Sequence, residues 1–262
     1  MQPPRAAAAN DPWVQFPRRN PGARLRLFCF PYAGGGASIY RSWPSLLPPE
    51  VEVVAVQPPG RENRLAEKPF ADLRALVDTV AEVLPPYMDR PFVLFGHSNG
   101  GLAAFELARR LRAQGRAMPQ RLIVSGRPAP QVEVDDPPVH NLPEDQFRTA
   151  LRRFGGTPPE ILEHEEIMSL VGPVLRADFA LGETYHYLPE PPLDTPISAY
   201  AGQTDAEVPV AQVEAWREQT RGKFHLRLFP GGHFFVNENR DLVTHQLSRE
   251  LRELLPDPRA QW

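Results

Sequence analysis

The sequence has few of the residues on which several common classes of site depend. A single cysteine, Cys29, excludes an intramolecular disulfide and any zinc or iron-sulfur site built from several cysteines. Basic residues number 29 and acidic residues 32, so the net charge of −3 lacks the positive excess that binding to a nucleic-acid backbone requires. No run reaches the roughly 20 apolar residues of a membrane helix, and the N-terminal residues lack the apolar core of a signal peptide. We therefore expect a cytoplasmic protein that binds neither nucleic acid nor membrane.

The length and composition are those of a globular protein. With 262 residues, of which 42% are hydrophobic, the chain can bury a core without a disulfide or a structural metal. Residues 1–23 are rich in proline, arginine and asparagine without periodicity, which predicts a loose N-terminal arm. Its residues Trp13, Val14 and Phe16 could dock on the body of the domain. Residues 24–262 are expected to form one domain, and a monomer is our expectation.

Short β-favouring runs alternate with amphipathic helical patterns along the domain. The runs that predict strands are 25–30, 51–56, 92–95, 122–125, 197–200 and 224–229. The patterns with apolar residues at three- and four-residue spacing are 73–84, 102–112, 210–219 and 242–255. Such alternation predicts an α/β fold with a mostly parallel central sheet and helices on both faces.

One long segment interrupts this alternation. The segment from about residue 127 to residue 192 contains no run that clearly predicts a strand. Phe147, Leu151 and Phe154 share one helical face with Ala150, and a second helical stretch is predicted around 161–179. An insertion of this length favours a helical cap over the end of the sheet, where open α/β folds bind ligands. The alternative is a surface excursion without function.

A serine lies in the pattern of a nucleophile between two glycines. Residues 96–100 read Gly-His-Ser-Asn-Gly, directly after the predicted strand 92–95 and directly before a helical pattern. A strand-to-helix turn this tight needs small flanking residues, and it lifts the serine hydroxyl above the sheet. Ser98 is therefore the candidate nucleophile.

A serine hydroxyl needs a base to remove its proton, usually a histidine held by a carboxylate. In this type of fold the chain order is serine, acid, histidine. Asp205 lies in the loop after the predicted strand 197–200, and His233 lies in the loop after 224–229. Both should project from the same sheet edge as Ser98, although ordinary polar loop residues remain the alternative for each.

Other histidines and aspartates fit these roles less well. His225 falls inside a predicted strand, and His245 falls on the last helical pattern. His97 precedes the candidate nucleophile and is expected to brace the turn rather than accept its proton. Asp194 precedes its strand at the wrong sheet edge, and Asp178 lies in the predicted cap.

Acyl hydrolysis also requires hydrogen-bond donors for the developing oxyanion. The backbone N–H of Asn99, directly after the candidate nucleophile, supplies one donor, and the loop 30–36 supplies the other, for which we favour the N–H of Ala33. The glycines of this loop do not form a phosphate loop, because no Gly-Lys-Ser/Thr follows. They do not match a dinucleotide fingerprint either, since Ile39 stands where the third glycine is needed.

The sequence predicts neither a metal nor a cofactor. His164 and Glu165 begin like the zinc-protease pattern His-Glu-x-x-His, but position 168 is Met, so the second ligand is missing. Cys29 falls inside a predicted strand and is expected to be a buried apolar residue rather than a nucleophile.

These motifs together resemble those of type II thioesterases, the free-standing α/β-hydrolases that accompany modular polyketide synthases and nonribosomal peptide synthetases. The resemblance spans about residues 25–255, and the first loop and the Pro-Gly-Arg segment are more specific than the serine motif. The segments that carry it are Phe30-Pro31-Tyr32-Ala33-Gly34-Gly35, Gln57-Pro58-Pro59-Gly60-Arg61-Glu62-Asn63-Arg64, Gly96-His97-Ser98-Asn99-Gly100, Asp178 to Tyr187 and Gly231-Gly232-His233-Phe234-Phe235.

The resemblance implies a reaction that the residues alone do not. In type II thioesterases the residue matching Ser98 attacks an acyl thioester on the phosphopantetheine arm of an acyl or peptidyl carrier protein. The residue matching His233 acts as base and then as acid, and the one matching Asp205 orients it. The implied role is editing, in which stalled or wrongly primed acyl groups are cleared from the assembly line. The phosphopantetheine arrives with the substrate, so no bound cofactor is implied.

The chain departs from the family pattern at one position beside the nucleophile. Asn99 stands where the family usually has Met. We expect Asn99→Met to leave activity within about tenfold, equivalent to about 1.4 kcal/mol. The segment from Arg61 to Arg64 could contact a carrier protein or a phosphate, but a structural loop after the second strand is the favoured interpretation.

Three alternatives remain at the level of the sequence. A general carboxylesterase or lipase would use the same Ser98, Asp205 and His233. A hydrolase-like binding protein would keep the fold without the reaction. The presence of a nucleophile, an acid, a base and an oxyanion loop argues against it, because a binding protein needs none of them. A terminal thioesterase domain cut from a megasynthase is less expected than a discrete protein, because no carrier-domain Asp-Ser-Leu motif precedes the first predicted strand.

Overall fold

A single sheet forms the centre of the protein. The computed structural model describes residues 11–134 and 136–255, and within them seven strands join one sheet. The strands are Val14–Gln15 (β1), Leu25–Phe30 (β2), Val51–Val56 (β3), Phe92–His97 (β4), Arg121–Ser125 (β5), Ile197–Gly202 (β6) and Phe224–Phe229 (β7). Their order is β1-β3-β2-β4-β5-β6-β7, and every neighbouring pair is parallel except β1 with β3. The predicted α/β fold with a mostly parallel sheet is confirmed.

Helices follow most of the strands, as the sequence predicted. They are Leu73–Val83 (α1), Asn99–Ala113 (α2), Glu144–Phe154 (α3), Pro159–Glu163 (α4), Glu165–Glu183 (α5), Val210–Glu214 (α6), Phe235–Glu238 (α7) and Arg240–Arg252 (α8). The pattern predicted as one helix over 210–219 is α6 continued by a 3-10 segment, Ala215–Gln219. Within the described residues, every helix is too short or too polar to span a bilayer.

Both faces of the sheet are covered, because alternate strand residues point to opposite sides. Phe28 and Leu94 belong to one core cluster with residues of α1 and α2. Leu27 and Phe95 belong to a second cluster with residues of α8. Strands β2 to β6 are buried on both faces, which explains why their sequences are mostly apolar. The edge strand β7 is mostly half-buried.

The sheet begins inside the segment that the sequence analysis assigned to an N-terminal arm. Val14 pairs with Val56, so β1 adds an antiparallel strand at the edge of the sheet. Trp13 and Val14 are buried, as the possible docking suggested. The domain therefore starts before residue 24, and a two-residue strand is too short for a period-two pattern to reveal. Residues 1–10 of the predicted arm lie outside the described residues.

The predicted cap between β5 and β6 contains the three helices α3, α4 and α5. The second predicted helical stretch is divided at His164, whose ring nitrogen accepts a hydrogen bond from the Ile167 N–H at 3.4 Å where α5 begins. A separate apolar cluster holds the cap together; it consists of Val139, Phe147, Leu151, Leu162, Met168 and Leu175. Further along α5, Leu181 joins the main core cluster, so this helix ties the cap to the body.

Candidate active site

Ser98 lies between the last residue of β4 and the first residue of α2. Its backbone adopts φ 53° and ψ −123°, a conformation that non-glycine residues rarely hold without constraint from their surroundings. A Cβ on Gly96 would lie 2.0 Å from the carbonyl oxygen of Gly100, and one on Gly100 would lie 2.2 Å from that of Phe30. Glycine is therefore sterically required on both sides of the strained turn, as the motif predicted.

Asp205 and His233 meet at the same sheet edge. Asp205 follows β6 and His233 follows β7, and His233 Nδ1 lies 2.8 Å from Asp205 Oδ2. The other carboxylate oxygen of Asp205 accepts the N–H groups of Glu207 and Val208, each at 3.0 Å. An ionised carboxylate only accepts hydrogen bonds, so His233 Nδ1 carries the proton and Nε2 presents a lone pair. The structure thus pairs the predicted acid with the predicted base.

His97, the residue before the candidate nucleophile, is held inside the protein. Its ring is fully buried, and its Nδ1 lies 2.9 Å from the Oγ of Ser125 at the end of β5. Burial holds the pKa of His97 well below its ordinary value. A neutral imidazole bonded to the next strand fits the expectation that His97 braces the turn.

The two predicted oxyanion donors line one pocket. The pocket is mostly apolar and contains Ala33 and Asn99 together with residues from β2, α1, α2 and α5. Within residues 11–134 and 136–255, neither backbone N–H donates a hydrogen bond to a protein acceptor. The loop beside them also contacts the segment that carries His233, since the rings of Tyr32 and Phe234 lie 5.2 Å apart. Their assignment as oxyanion donors stays a prediction.

The Asn99 side chain faces the cap. Its Nδ2 donates to the backbone carbonyl of Asp178 at 2.6 Å, and its Oδ1 accepts from Arg127 at 3.0 Å. Burial lowers the pKa of the Arg127 guanidinium to about 10. Both ends of the amide are therefore engaged by protein groups away from the backbone N–H of Asn99.

The arginines of the Pro-Gly-Arg segment are structural, as the favoured interpretation held. The Arg61 guanidinium is buried and forms a bidentate ion pair with Asp178, with N–O distances of 2.6 and 2.8 Å. Arg64 is also buried and donates to Glu67 at 2.6 Å and to the Gln57 carbonyl at 2.9 Å.

Asp178 is the site feature that the sequence analysis missed. Its partner Arg61 is 117 positions away in the chain, and no local pattern links the two. The one sequence signal for Asp178 was the family resemblance, because Asp178 begins the Asp178 to Tyr187 segment that contributed to it.

Three of the competing residues lie on elements away from Ser98. His225 lies within β7, His245 is exposed on α8, and Asp194 is exposed before β6. Among the described residues, no three His, Cys, Asp or Glu side chains are grouped so that they could hold a metal ion. Cys29 is buried inside β2, as expected, and burial raises its pKa well above the ordinary value.

Comparison with known proteins identifies the family. The profile described as "Thioesterase domain" matches residues 25–251. The chain belongs to the thioesterase family. The thioesterase is 43% identical over 243 residues to the gramicidin S biosynthesis protein GrsT of Aneurinibacillus migulanus, covering 93% of this chain and 95% of that protein. It is 37% identical to thioesterase PikA5 of Streptomyces venezuelae, covering 91% of this chain and 85% of that protein.

A solved structure of similar sequence has the same fold. The structure of the type II thioesterase BorB from the borrelidin biosynthetic cluster matches the thioesterase with a TM-score of 0.84 and 38% identity, covering 93% of this chain and 99% of that chain. The resemblance to type II thioesterases and the α/β-hydrolase fold are thereby confirmed.

Proposed function

We propose that this thioesterase hydrolyses acyl thioesters on the phosphopantetheine arm of acyl or peptidyl carrier proteins. By doing so it clears aberrant or stalled acyl groups from a polyketide synthase or nonribosomal peptide synthetase. The names of the relatives support the setting, since one is a gramicidin S biosynthesis protein and another comes from the borrelidin biosynthetic cluster. The observation that carries the chemistry is the 2.8 Å contact between His233 Nδ1 and Asp205, at the sheet edge from which Ser98 projects.

In the first half of the reaction Ser98 becomes acylated. His233 Nε2 takes the hydroxyl proton while Ser98 Oγ attacks the thioester carbonyl carbon. Asp205 holds the imidazole in the required tautomer and stabilises the imidazolium that forms. The carbon-sulfur bond then breaks, and the departing sulfur takes the proton from His233, which releases the phosphopantetheine thiol and leaves an acyl ester on Ser98.

In the second half water repeats the attack. His233 accepts a proton from water, the hydroxide adds to the ester carbon, and the proton returns to Ser98 Oγ as the carboxylic acid leaves. In both halves the negative charge on the carbonyl oxygen would be stabilised by the N–H groups of Ala33 and Asn99. No cofactor of the protein takes part, because the phosphopantetheine belongs to the substrate.

The test follows the intact mass of a carrier protein loaded with short acyl groups. The loaded carrier is incubated with the wild type, with Ser98→Ala and with Ser45→Ala, which removes an exposed serine and serves as the matched control. The same acyl groups on coenzyme A and a simple ester run alongside. We expect loss of the acyl mass with the wild type and with Ser45→Ala, faster from the carrier than from coenzyme A. Ser98→Ala should lose at least about 10³-fold in rate.

Other outcomes would redirect the assignment. Rapid ester hydrolysis with an untouched carrier would make the protein a general carboxylesterase or lipase. Inactivity on all three substrates would favour a hydrolase-like binding protein. For the thioesterase itself, a monomeric state and a location in the cytoplasm stay predictions.

A further inference from the structure

A buried carboxylate of the cap contacts the loop that follows β2. Asp178 on α5 is 4% exposed, and its Oδ2 accepts the backbone N–H of Gly34 at 2.7 Å. The same carboxylate forms the bidentate pair with Arg61, whose Nη1 also lies 3.2 Å from the Gly35 carbonyl oxygen. The Asp178 and Arg61 side chains together therefore hold the N–H of Gly34 and the carbonyl of Gly35, which belong to two different peptide groups of this loop.

The main chain of Asp178 contacts the other side of the site. Its carbonyl oxygen accepts the side-chain amide of Asn99 at 2.6 Å. Gly34 directly follows Ala33, and Asn99 directly follows Ser98. One residue of the cap thus touches both segments that carry the candidate oxyanion donors.

The two candidate oxyanion donors, the N–H groups of Asn99 and Ala33, differ in how firmly the surrounding backbone holds them. The N–H of Asn99 belongs to the first turn of α2, which is a 15-residue helix packed in the core. Ala33 lies in an irregular loop, where a turn hydrogen bond from Gly35 N to Tyr32 O at 2.9 Å closes the chain around it. That bond holds the peptide group of the Ala33 N–H through its Tyr32 carbonyl, and the contact with Asp178 holds the next peptide group through its Gly34 N–H. A displacement of about 1 Å in a catalytic group costs roughly 10²-fold in rate.

Stability alone is a poor explanation for this ion pair. Removing a carboxylate and a guanidinium from water costs free energy that their attraction often fails to recover, so a buried pair adds little to folding. Here the carboxylate is shared between Arg61 and a backbone N–H beside the site, which gives the pair a geometric role. We propose that Asp178 is a positioning residue that fixes the Ala33 N–H in the oxyanion hole and so couples the cap to catalysis.

This proposal rests on the proposed function of Ser98, so the experiment measures both. Hydrolysis of an acyl-coenzyme A thioester is followed for the wild type, Asp178→Ala, Asp178→Asn and Glu52→Ala. Glu52 is the matched control, because it is also buried, pairs with Arg26 at 2.8 Å and accepts the Asn20 N–H at 2.8 Å, but lies near the amino end of β3. Each kcat is expressed per active site titrated with a serine-directed phosphonate, which removes the contribution of unfolded protein.

We expect Asp178→Ala to lower kcat per site by roughly 10²-fold with KM within about threefold. An alkylboronic acid, whose adduct with Ser98 carries the oxyanion, should bind more weakly by a similar factor. Asp178→Asn keeps an oxygen acceptor for the Gly34 N–H and should fall between the wild type and Asp178→Ala. Glu52→Ala should keep the wild-type kcat per site and boronate affinity.

Equal kcat per site in Asp178→Ala and Glu52→Ala would overturn the proposal and leave the proposed function intact. A drop in kcat with unchanged boronate affinity would also overturn it. If Asp178→Ala does not fold, the same comparison is made between Asp178→Asn and Glu52→Gln. A wild type that hydrolyses no thioester would instead refute the proposed function, and the positioning role would fall with it.

Discussion

The residue after the candidate nucleophile shows how one side chain can be close to a reaction and yet serve another purpose. The amide of Asn99 bonds the Asp178 carbonyl and Arg127, whereas its backbone N–H belongs to the helix start. The N–H would be retained by any residue except proline at this position. The sequence shows only that residue 99 is Asn. The structure shows that its side-chain amide and its backbone N–H have different surroundings.

Asn99→Met is therefore expected to keep kcat within about tenfold of the wild type, or about 1.4 kcal/mol of barrier. The free energy of unfolding should fall by about 1–3 kcal/mol, because a buried carbonyl and a half-buried guanidinium each lose a partner. Steady-state kinetics and urea denaturation check the two parts. A loss of several orders of magnitude in kcat would show that the amide takes part in the chemistry.

His97 links a single residue to the pH dependence of folding. Burial depresses its pKa in the folded protein, whereas in the unfolded chain the pKa is about 6.5. Below that pH the unfolded chain binds a proton that the folded protein does not. The free energy of unfolding should therefore be fully retained above about pH 6.5 and fall at lower pH by up to about 1.4 kcal/mol per unit until the folded pKa is reached.

Urea denaturation between about pH 7.5 and 5 measures this slope. His97→Gln should lose the contribution, so its stability changes less with pH than that of the wild type. His245→Gln, which alters an exposed histidine on α8, is the control and should keep the wild-type slope. Identical slopes in all three proteins would contradict a neutral buried His97.

Among the secondary-structure elements, α5 contacts both the cap cluster and the main core. Its Met168 and Leu175 belong to the cap cluster, Leu181 belongs to the main core, and Asp178 between them contacts the loop after β2. The sequence predicted helical character here but not this division of contacts. An amphipathic pattern shows that a face is buried without showing which elements cover it.

Phe147→Ala tests whether the cap depends on its own cluster. Phe147 is fully buried on α3, and its ring meets that of Phe179 on α5 with centroids 6.1 Å apart. Loss of a buried phenylalanine costs about 3–5 kcal/mol. We expect faster amide hydrogen exchange across residues 144–183, with the strands of the sheet unchanged. Phe224→Ala on the edge strand β7 is the control, and uniform acceleration throughout the protein by Phe147→Ala would contradict a separate cap cluster.

At the scale of the whole molecule, the parallel sheet brings distant parts of the chain to one edge. Ser98 follows β4, Asp205 follows β6 and His233 follows β7, so three loops separated by long stretches of sequence converge. The convergence was predictable, because parallel strands all end at the same edge and each candidate directly follows a strand. The strand β1 was not predictable, since a two-residue edge strand has no periodicity.

The sequence by itself determined the alternation of strands and helices, the serine turn, and the positions of the candidate acid and base at the strand ends. These are local signals, because hydrophobic period, glycine spacing and the order of loops can be read within short windows. Tertiary structure alone decided that Arg61 pairs with Asp178, that the Asn99 amide faces the cap, and that α5 joins two cores. Those contacts connect residues far apart in the chain, and their geometry depends on how the cap packs against the sheet.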